Sequence, residues 1–349
     1  MRDVAVVSFA QHAVRREDQR NEVEFLQPVI AEVVDAVGLT TQDMGFTVSG
    51  SSDYLAGQPF AFVSALDTVG PWPPIAESHV EMDGAWALHE AWVRLQHGDI
   101  DTALVYSFGK SSPGDLPRVL AMQLEPYTMG PIWPDTISLA GLQARALLEA
   151  NGHGPRDLAE VVARSRRAAK DNPHAVLAGD VEVEQLLAEQ AWADPLRRHD
   201  CAPITDGAAA VVLAAGDKAR ELAERPAWIR GIDHRVEPQA LGMRDLTTSS
   251  STRRAGEVAG VSDGPVDLAE LHAPFSHQEL ILADALGLGE DTSINPSGGA
   301  LAANPMMAAG LIRIGEAASR VSRGEGERAV AHATSGPCLQ QNLVCVVEA

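Results

Sequence analysis

The stretch ALAANPMMAAGLIRIGEAA (300–318) decides the fold of this chain. Its small and apolar residues predict a buried, alanine-rich helix, and GAWALHEAWVRLQHG (84–98) has apolar positions at the same helical spacing. Each of these two stretches is followed by a run that predicts a buried strand, RAVAHATS (328–335) and TALVYSFG (102–109) respectively. The matching order of helix and strand indicates an internal duplication.

The elements that precede these helices also repeat in the same order. VAVVSFA (4–10) and WIRGIDHRV (228–236) predict a strand at the start of each half, and FTVSGSSD (46–53) and VDLAELHA (266–273) predict strands that end in polar residues. In the first half, EVEFLQPVIAEVVDAVG (22–38) predicts an amphipathic helix. Strands rich in valine and alanine that alternate with helices are typical of an α/β protein whose sheets are buried on both faces.

Two halves of unequal length follow from this pattern. We expect an N-terminal half over residues 1–220 and a C-terminal half over residues 221–349. Residues from about 110 to 200 have no counterpart in the second half. Their glycine, proline and aromatic content, as in EPYTMGPIWPD (125–135), predicts an inserted loop domain of the kind that covers a site.

The composition is that of an ordinary globular protein, since 45% of the 349 residues are hydrophobic and 21% are charged. A net charge of −21 repels polyanions, so we expect no nucleic-acid partner and no membrane partner. Basic residues cluster at 164–170 and at 253–254. For these clusters, solvent-exposed charge and a local anion site remain the two alternatives.

The cysteines and histidines favour a reduced compartment without a metal. Cys201, Cys338 and Cys345 form no CxxC pair and no zinc spacing, and their odd number argues against a disulfide framework. Eleven histidines show no HExxH or similar pattern, so no metal is expected. The apolar run at 4–10 is too short for a membrane span and has no cleavage site, so we expect a cytoplasmic protein.

A resemblance to a known family rests on four stretches: NPHA (172–175), ADPLRRHDCAPITDGAAAVVLAA (193–215), ELHAPFSHQELILADALGL (270–288) and INPSGGALAANPMMAAGLIRIGEA (294–317). With them the chain resembles the thiolase superfamily over nearly its whole length. Within that superfamily it resembles the thiolase part of sterol-carrier-protein-type thiolases, also called lipid-transfer proteins. The resemblance implies a thiolase fold of two similar βαβαβαββ halves in five layers with an inserted loop domain.

The same resemblance implies an activity and its partners. The family acts on acyl-coenzyme A as an obligate dimer, so we expect a homo- or heteromeric dimer here. Coenzyme A would enter as part of the substrate, and no cofactor would be bound permanently.

Two positions depart from the family at its reaction centre. Aligning HVEMDGAWAL (79–88) with the family's Cys-Ser-Thr-Gly-like turn puts Glu81 where the nucleophilic cysteine belongs. The start of a helix stabilises an anion, so Glu81 is a general base or an electrostatic filter, unless Glu81 or Asp83 merely caps the helix. In the family's Gly-His-Pro motif, Asn304 replaces the histidine. Asparagine donates a hydrogen bond but takes up no proton, and helix capping by Asn304 is the alternative.

Two histidines match catalytic positions of the sterol-carrier type. ELHAPFSHQE (270–279) places His272 and Phe275 at the family's pair ahead of an aromatic residue, which implies an oxyanion donor or general acid at His272. AVAHATSGPCLQQN (329–342) matches the C-terminal catalytic stretch and places His332 there. Glu81, Asn304, His272 and His332 are thus the candidate catalytic residues.

The substrate-binding candidates lie mostly in one turn. Ser297, Gly298 and Gly299 match the family's turn against the pantetheine chain, where absent side chains allow close approach. Phe275 is the fourth candidate. Cys338 is out of register with the family's base and is expected to be a small buried hydrophobic residue.

These departures point away from thiolysis, which needs a thiolate and a second base. We expect an acyl-coenzyme A lyase that performs a non-covalent retro-aldol cleavage of a β-hydroxyacyl-coenzyme A. The resemblance implies a steroid or lipid side chain as substrate and a small partner with a zinc ribbon and an OB-fold. The alternatives are a catalytically silent subunit of a heteromeric acyl-coenzyme A complex and an acetyl-CoA acetyltransferase or 3-ketoacyl-CoA thiolase.

Overall fold

The computed structural model describes residues 1–17, 19–70, 74–150 and 152–349. Its strands are β1 (Val4–Val14), β2 (Phe46–Gly50), β3 (Glu77–Val80), β4 (Thr102–Gly109), β5 (Ala191–Ala193), β6 (Leu196–Arg197), β7 (Asp206–Ala215), β8 (Ala227–Val236), β9 (Leu268–Leu271), β10 (Ser293–Ile294), β11 (Arg328–Ser335) and β12 (Gln341–Glu348). Its α-helices are α1 (Glu22–Asp35), α2 (Asp53–Ala56), α3 (Ala61–Val69), α4 (Gly84–Gln96), α5 (Leu116–Met122), α6 (Thr136–Ala150), α7 (Pro155–Ala168), α8 (Val183–Leu187), α9 (Asp217–Leu222), α10 (Ser250–Ala259), α11 (Ser276–Leu286), α12 (Gly299–Ala302) and α13 (Ala309–Ser322).

Ten of these strands form one mixed sheet in the order β10-β9-β11-β12-β8-β1-β7-β4-β2-β3. β1 and β4 are antiparallel to β7, as β8 and β11 are to β12. β2 is parallel to β3 and β4, as β9 is to β10 and β11. The two halves meet where Ala5 pairs with Trp228 and Val6 with Ala227. Because both halves have the same order and strand directions, the predicted internal duplication is confirmed.

Helices cover both faces of the sheet and produce five layers. α4 and α13 lie between the two halves of the sheet and share one apolar core with both. α1 and α3 cover the outer face of the first half. α10 and α11 cover the outer face of the second half. The layered α/β architecture expected from the alternating strands and helices is therefore confirmed.

Small residues let the central helix α13 approach the sheet closely. A Cβ atom on Gly315 would come within 2.1 Å of the ring of Phe9, which lies on β1. A Cβ atom on Gly310 would come within 2.5 Å of the Asp83 carboxylate at the start of α4. The glycines of α13 thus allow helix, strand and neighbouring helix to meet at van der Waals distance.

The single helix expected over 300–318 is interrupted in the structure, and that prediction is wrong. α12 ends at Ala302 and α13 begins at Ala309. Pro305 has no backbone N–H and disfavours the helical conformation at the residue before it, so the helix cannot continue through Asn304. Met307 then adopts a left-handed backbone conformation with a φ of 69°. The segment 303–308 between the two helices is free to form the wall of a cavity.

The inserted segment over 110–200 is built from α5, α6, α7, α8 and the short β5-β6 pair. Apolar clusters join it to the second half, where α7 packs against α11 and α12. The boundaries of the two halves stay predictions. Among the described residues, no helix combines the length and apolar character needed to cross a membrane.

Candidate active site

A cavity of about 1520 Å³ lies between the inserted segment and the loops that follow strands of both halves. Binding sites for small molecules usually have volumes of roughly 300–1,000 Å³, so this cavity has room for a large ligand. Glu81, His272, Phe275 and Asn304 line the cavity. The structure therefore brings four of the candidate residues predicted from the sequence to one cavity.

His272 and Asn304 form a hydrogen-bonded pair at the cavity wall. The backbone N–H of Thr334 donates to His272 Nδ1 at 3.3 Å, and His272 Nε2 lies 2.9 Å from Asn304 Oδ1. Since Nδ1 accepts, a neutral imidazole carries its proton on Nε2 and donates it to the amide oxygen. The reverse orientation of the amide would require Nδ1 to carry the proton, which would then face the N–H of Thr334. The tautomer and the amide orientation thus fix each other.

His272 is a neutral hydrogen-bond donor rather than an acid. Burial, together with the neighbouring His332, lowers the pKa of His272 to about 3, while the hydrogen bond to Asn304 opposes the shift. A group with this pKa is uncharged at neutral pH. The contact of His272 with Asn304 is therefore a hydrogen bond from a neutral imidazole.

Asn304 presents its amide nitrogen for use by a ligand. Its oxygen is occupied by His272, and its backbone N–H donates to Thr205 Oγ1 at 2.9 Å. Within the described residues, no hydrogen bond engages the amide Nδ2 of Asn304. Asn304 is not a helix cap, because Ala308 occupies the N-cap position of α13. The amide N–H groups can therefore polarise a carbonyl oxygen in the cavity.

The turn at Glu81 is joined to the Asn304 segment by hydrogen bonds. Gly84 N–H donates to the Met307 carbonyl at 2.8 Å, and both Met307 and Glu81 line the cavity. The Glu81 side chain is 48% exposed, so its carboxylate can meet a substrate. Glu81 does not cap α4. One carboxylate oxygen accepts the backbone N–H of Asp53 at 2.7 Å instead.

Asp83 is the cap of α4 and also joins α4 to α13. Asp83 Oδ1 accepts the N–H groups of Ala85 at 2.9 Å and Leu311 at 3.0 Å, and Oδ2 accepts the N–H of Gly310 at 2.9 Å. Burial raises the pKa of Asp83 to about 6, and these three N–H donors oppose the shift. Of the two capping alternatives at this turn, Asp83 is the one observed. The sequence did not predict that one carboxylate serves two helices.

His332 is buried and does not line the cavity. Its Nε2 lies 3.0 Å from Asn342 Oδ1, and burial lowers the pKa of His332 to about 4. The backbone carbonyl of His332 accepts the N–H of His272 at 3.2 Å. The structure thus places His332 behind His272, where its side chain has no access to a ligand in the cavity.

Ser297, Gly298 and Gly299 also lie away from the cavity lining. Ser297 Oγ donates to Glu270 at 2.7 Å and accepts from Arg313 at 2.8 Å, within a buried polar cluster. The carbonyl of Gly298 accepts the hydroxyl of Ser165 on α7 at 2.5 Å, and a Cβ atom on Gly298 would come within 2.6 Å of Ala169 Cβ. The glycines thus allow close approach to the inserted segment. The two glycines do not line the cavity, so they are not placed to contact a ligand there.

The cavity also contains cysteines that are poorly suited to act as nucleophiles. Burial raises the pKa of Cys338 to about 11 and that of Cys201 to about 12. Both line the cavity, and neither is a thiolate at neutral pH. Cys338 is buried, as expected, and it adopts a left-handed conformation with a φ of 53°.

Comparisons with known proteins agree with this fold. No family model matches the chain. An acetyl-CoA acetyltransferase of Methanothermobacter thermautotrophicus is 32% identical over 222 residues, which cover 57% of this chain and 58% of that protein. Sterol carrier protein 2 of Homo sapiens is 25% identical over 301 residues, which cover 74% of this chain and 54% of that protein. The chain thus spans little more than half the length of these curated relatives.

Two solved structures have the same fold. The structure described as "Ltp2-ChsH2(DUF35) aldolase" has a TM-score of 0.80 at 17% identity and covers 99% of this chain and 98% of that one. A monomeric SCP2-thiolase like protein type 1 from Mycobacterium smegmatis has a TM-score of 0.76 at 20% identity and covers 99% of this chain and 76% of that one. At these identities the likeness shows the fold alone. The fold is thus that of the thiolases, and the sequence relatives, an acetyl-CoA acetyltransferase and sterol carrier protein 2 among them, are what the chain is similar to.

Proposed function

We propose that this chain cleaves a carbon–carbon bond of a β-hydroxyacyl-coenzyme A by a retro-aldol reaction without a covalent acyl-enzyme. One observation carries the proposal: His272 holds Asn304 so that its amide N–H groups remain available at the cavity wall. Donors fixed in this way stabilise negative charge that develops on a thioester oxygen. They suit an enolate and require no nucleophile from the protein.

In the proposed reaction, the Glu81 carboxylate accepts the proton of the β-hydroxyl group. The bond between Cα and Cβ then breaks, and Cβ leaves as the carbonyl carbon of an aldehyde or ketone. The electron pair of that bond becomes the enolate of the remaining thioester, whose oxygen accepts hydrogen bonds from Asn304. Protonated Glu81 returns the proton to Cα, which completes the acyl-coenzyme A product.

Thiolysis is disfavoured by the thiols of the cavity. That reaction needs a thiolate to carry the acyl group, whereas burial raises the pKa of Cys338 to about 11 and that of Cys201 to about 12. Glu81 stands at the start of the turn where the family has its cysteine. A carboxylate at that place cannot form the thioester intermediate.

The remaining parts of the proposal concern substrate, partners and location. A bulky acyl group, such as a steroid or lipid side chain, agrees with a cavity of about 1520 Å³. A solved structure of the same fold is described as an aldolase of two named components, "Ltp2-ChsH2(DUF35)", which supports a partner protein in the reaction. The proposal also includes a partner protein with a zinc ribbon and an OB-fold, a dimeric assembly and a cytoplasmic location.

A catalytically silent subunit is the second candidate. The observation that favours it is the burial of His332 together with the depressed pKa values of both His272 and His332, which leaves Glu81 as the proton-transfer group among the candidate residues. A relative of Thauera aromatica described as a benzoylsuccinyl-CoA thiolase subunit is an example of a subunit in this superfamily.

The product formed from two substrates distinguishes these functions. The protein, alone and with the product of a neighbouring gene, is incubated with a β-hydroxyacyl-coenzyme A, and separately with a β-ketoacyl-coenzyme A plus free coenzyme A. We expect an aldehyde or ketone from the first mixture and no loss of free thiol in the second. Thiol consumption in the second mixture would establish a thiolase, and silence in both mixtures would support the silent subunit.

A further inference from the structure

His79 lies beside the cavity but is absent from the proposed reaction. It belongs to β3, at the edge of the sheet, and pairs in register with Ser49 of β2. The ring of Phe62 from α3 stacks on the imidazole, with centroids 4.2 Å apart and an angle of 9° between the planes. The His79 side chain is 14% exposed, so the stack and the strand hold it in one orientation.

Both nitrogens of His79 have polar neighbours. Ser49 Oγ lies 3.1 Å from Nδ1, and Glu81 Oε2 lies 3.5 Å from Nε2. The other oxygen of Glu81 accepts the backbone N–H of Asp53 at 2.7 Å. Glu81 is therefore contacted at both oxygens, although its side chain is half-exposed.

The chemistry of these groups fixes the proton on His79. A carboxylate only accepts hydrogen bonds, so the nitrogen that faces Glu81 carries the proton. Nδ1 of a neutral imidazole then accepts, and the hydroxyl of Ser49 donates to it. Ser49 is fully buried, so its hydroxyl has no competing water. These contacts connect Ser49, inside the sheet, through His79 to Glu81 at the cavity.

We propose that His79 is a positioning residue for Glu81. It donates from Nε2 to Oε2 of the Glu81 carboxylate and so holds the carboxylate toward the β-hydroxyl of the substrate. This inference rests on the proposed function, in which Glu81 is the base. Without the donor, an exposed glutamate side chain samples several rotamers, and only a fraction of them point at the substrate. His79 touches no reacting atom, so it affects the rate through Glu81.

Other titratable groups lie near the His79–Glu81 pair. Glu77 lies on the same strand, and burial raises its pKa while His79 opposes the shift. Hydrogen bonds from the N–H groups of Ala61 and Phe60 lower the pKa of Asp53 on α2. Tyr106 on β4 is buried, which raises the pKa of its hydroxyl. None of these three groups contacts the Glu81 carboxylate through a side-chain hydrogen bond in the described part of the chain.

Kinetics of two variants test the role of His79. His79→Phe keeps an aromatic ring for the stack on Phe62 and removes both nitrogens, whereas His79→Gln restores an N–H near the position of Nε2. We expect His79→Phe to lower kcat about 10- to 100-fold with little change in KM, because the carboxylate loses the donor that orients it. His79→Gln should recover most of kcat. His153→Gln, at a histidine outside the cavity lining, is the matched control and should behave as wild type.

A double-mutant cycle decides whether His79 acts through Glu81. In a Glu81→Gln background, His79→Phe should cause no further loss of kcat. Full additivity of the two losses, or an unchanged kcat in His79→Phe, would overturn the inference. So would full activity of Glu81→Gln combined with a loss in His79→Phe.

A spectroscopic readout separates this inference from the proposed function. ¹⁵N NMR of the histidine side chains, with the His79 signal assigned by its loss in His79→Phe, should show the Nε2–H tautomer and a shift of that signal in Glu81→Gln. If the wild type has no retro-aldol activity but shows this coupling, the proposed function fails while the contact of His79 with Glu81 stands. An Nδ1–H tautomer that is insensitive to Glu81→Gln overturns the inference even in an active enzyme.

Discussion

Replacing Asn304 with alanine is expected to lower turnover of a β-hydroxyacyl-coenzyme A by about 10²- to 10³-fold. The variant loses the amide donor that faces the thioester oxygen, and His272 loses the oxygen that accepts its Nε2–H at 2.9 Å. Asn304 is partly exposed at the cavity wall, so the fold should tolerate the change. Initial rates of carbonyl release at saturating substrate measure the loss, and the thermal midpoint checks that the protein remains folded.

Asn304→Asp is the matched variant for this prediction. It keeps the shape of the side chain and an oxygen for His272, but it replaces the amide donor with a second acceptor. A carboxylate at this place also repels the enolate, so we expect Asn304→Asp to be at least as inactive as Asn304→Ala. Wild-type turnover by Asn304→Asp would show that the amide nitrogen does no work in the reaction.

Replacing Asp83 with alanine is expected to lower the free energy of unfolding by about 3–5 kcal/mol, the second large effect. The variant leaves three buried N–H groups, those of Ala85, Gly310 and Leu311, without their acceptor. Each unsatisfied buried donor costs roughly 1–3 kcal/mol, and a neighbouring water can recover part of that. Urea unfolding followed by circular dichroism gives the difference from the wild type.

Glu81→Gln is the control for Asp83→Ala. Glu81 is a carboxylate two residues away in the same turn, but its side chain is half-exposed and caps no helix. We expect its free energy of unfolding to change by less than about 1 kcal/mol, as for most exposed positions. If Asp83→Ala were as stable as Glu81→Gln, the carboxylate would not join α4 to α13 in the way that its hydrogen bonds indicate.

The order of the elements could be predicted because the duplication is visible as the same succession of apolar runs and helical stretches in both halves. Apolar runs such as TALVYSFG and RAVAHATS became β4 and β11, and the helix that precedes each run lies in the central layer. The interruption at Asn304 was predictable in principle from Pro305. The alanine-rich residues on either side of that proline favour a helix, so the pattern predicted one continuous helix instead of two.

The roles of the two histidines depended on information that is not local. Side chains alternate between the faces of a strand, and Ala331 and Ala333 face the central core. His332 between them therefore points to the opposite face, where it contacts Asn342. His272 lies just after the end of β9 and is free to face the cavity. The difference depends on which face of β11 packs against the central helices, and the local sequence, apolar on both sides of His332, does not indicate that face.

The contacts of Glu81 could not be predicted from the sequence for a similar reason. The sequence placed Glu81 at the start of α4, but its partners come from β3 and from the start of α2. Ser49 meets His79 only through the parallel pairing of β2 with β3. β3 has four residues, and its apolar pattern is too short to indicate a strand.

The central claim is that this thiolase-fold site stabilises a thioester enolate and forms no acyl-enzyme. The most direct test is the intact mass of the protein, quenched with acid during incubation with a β-ketoacyl-coenzyme A and, in parallel, with a β-hydroxyacyl-coenzyme A. We predict the unmodified mass in both samples, while a carbonyl product accumulates in the second. A protein mass increased by one acyl group, located by digestion at Glu81, Cys201 or Cys338, would contradict the account.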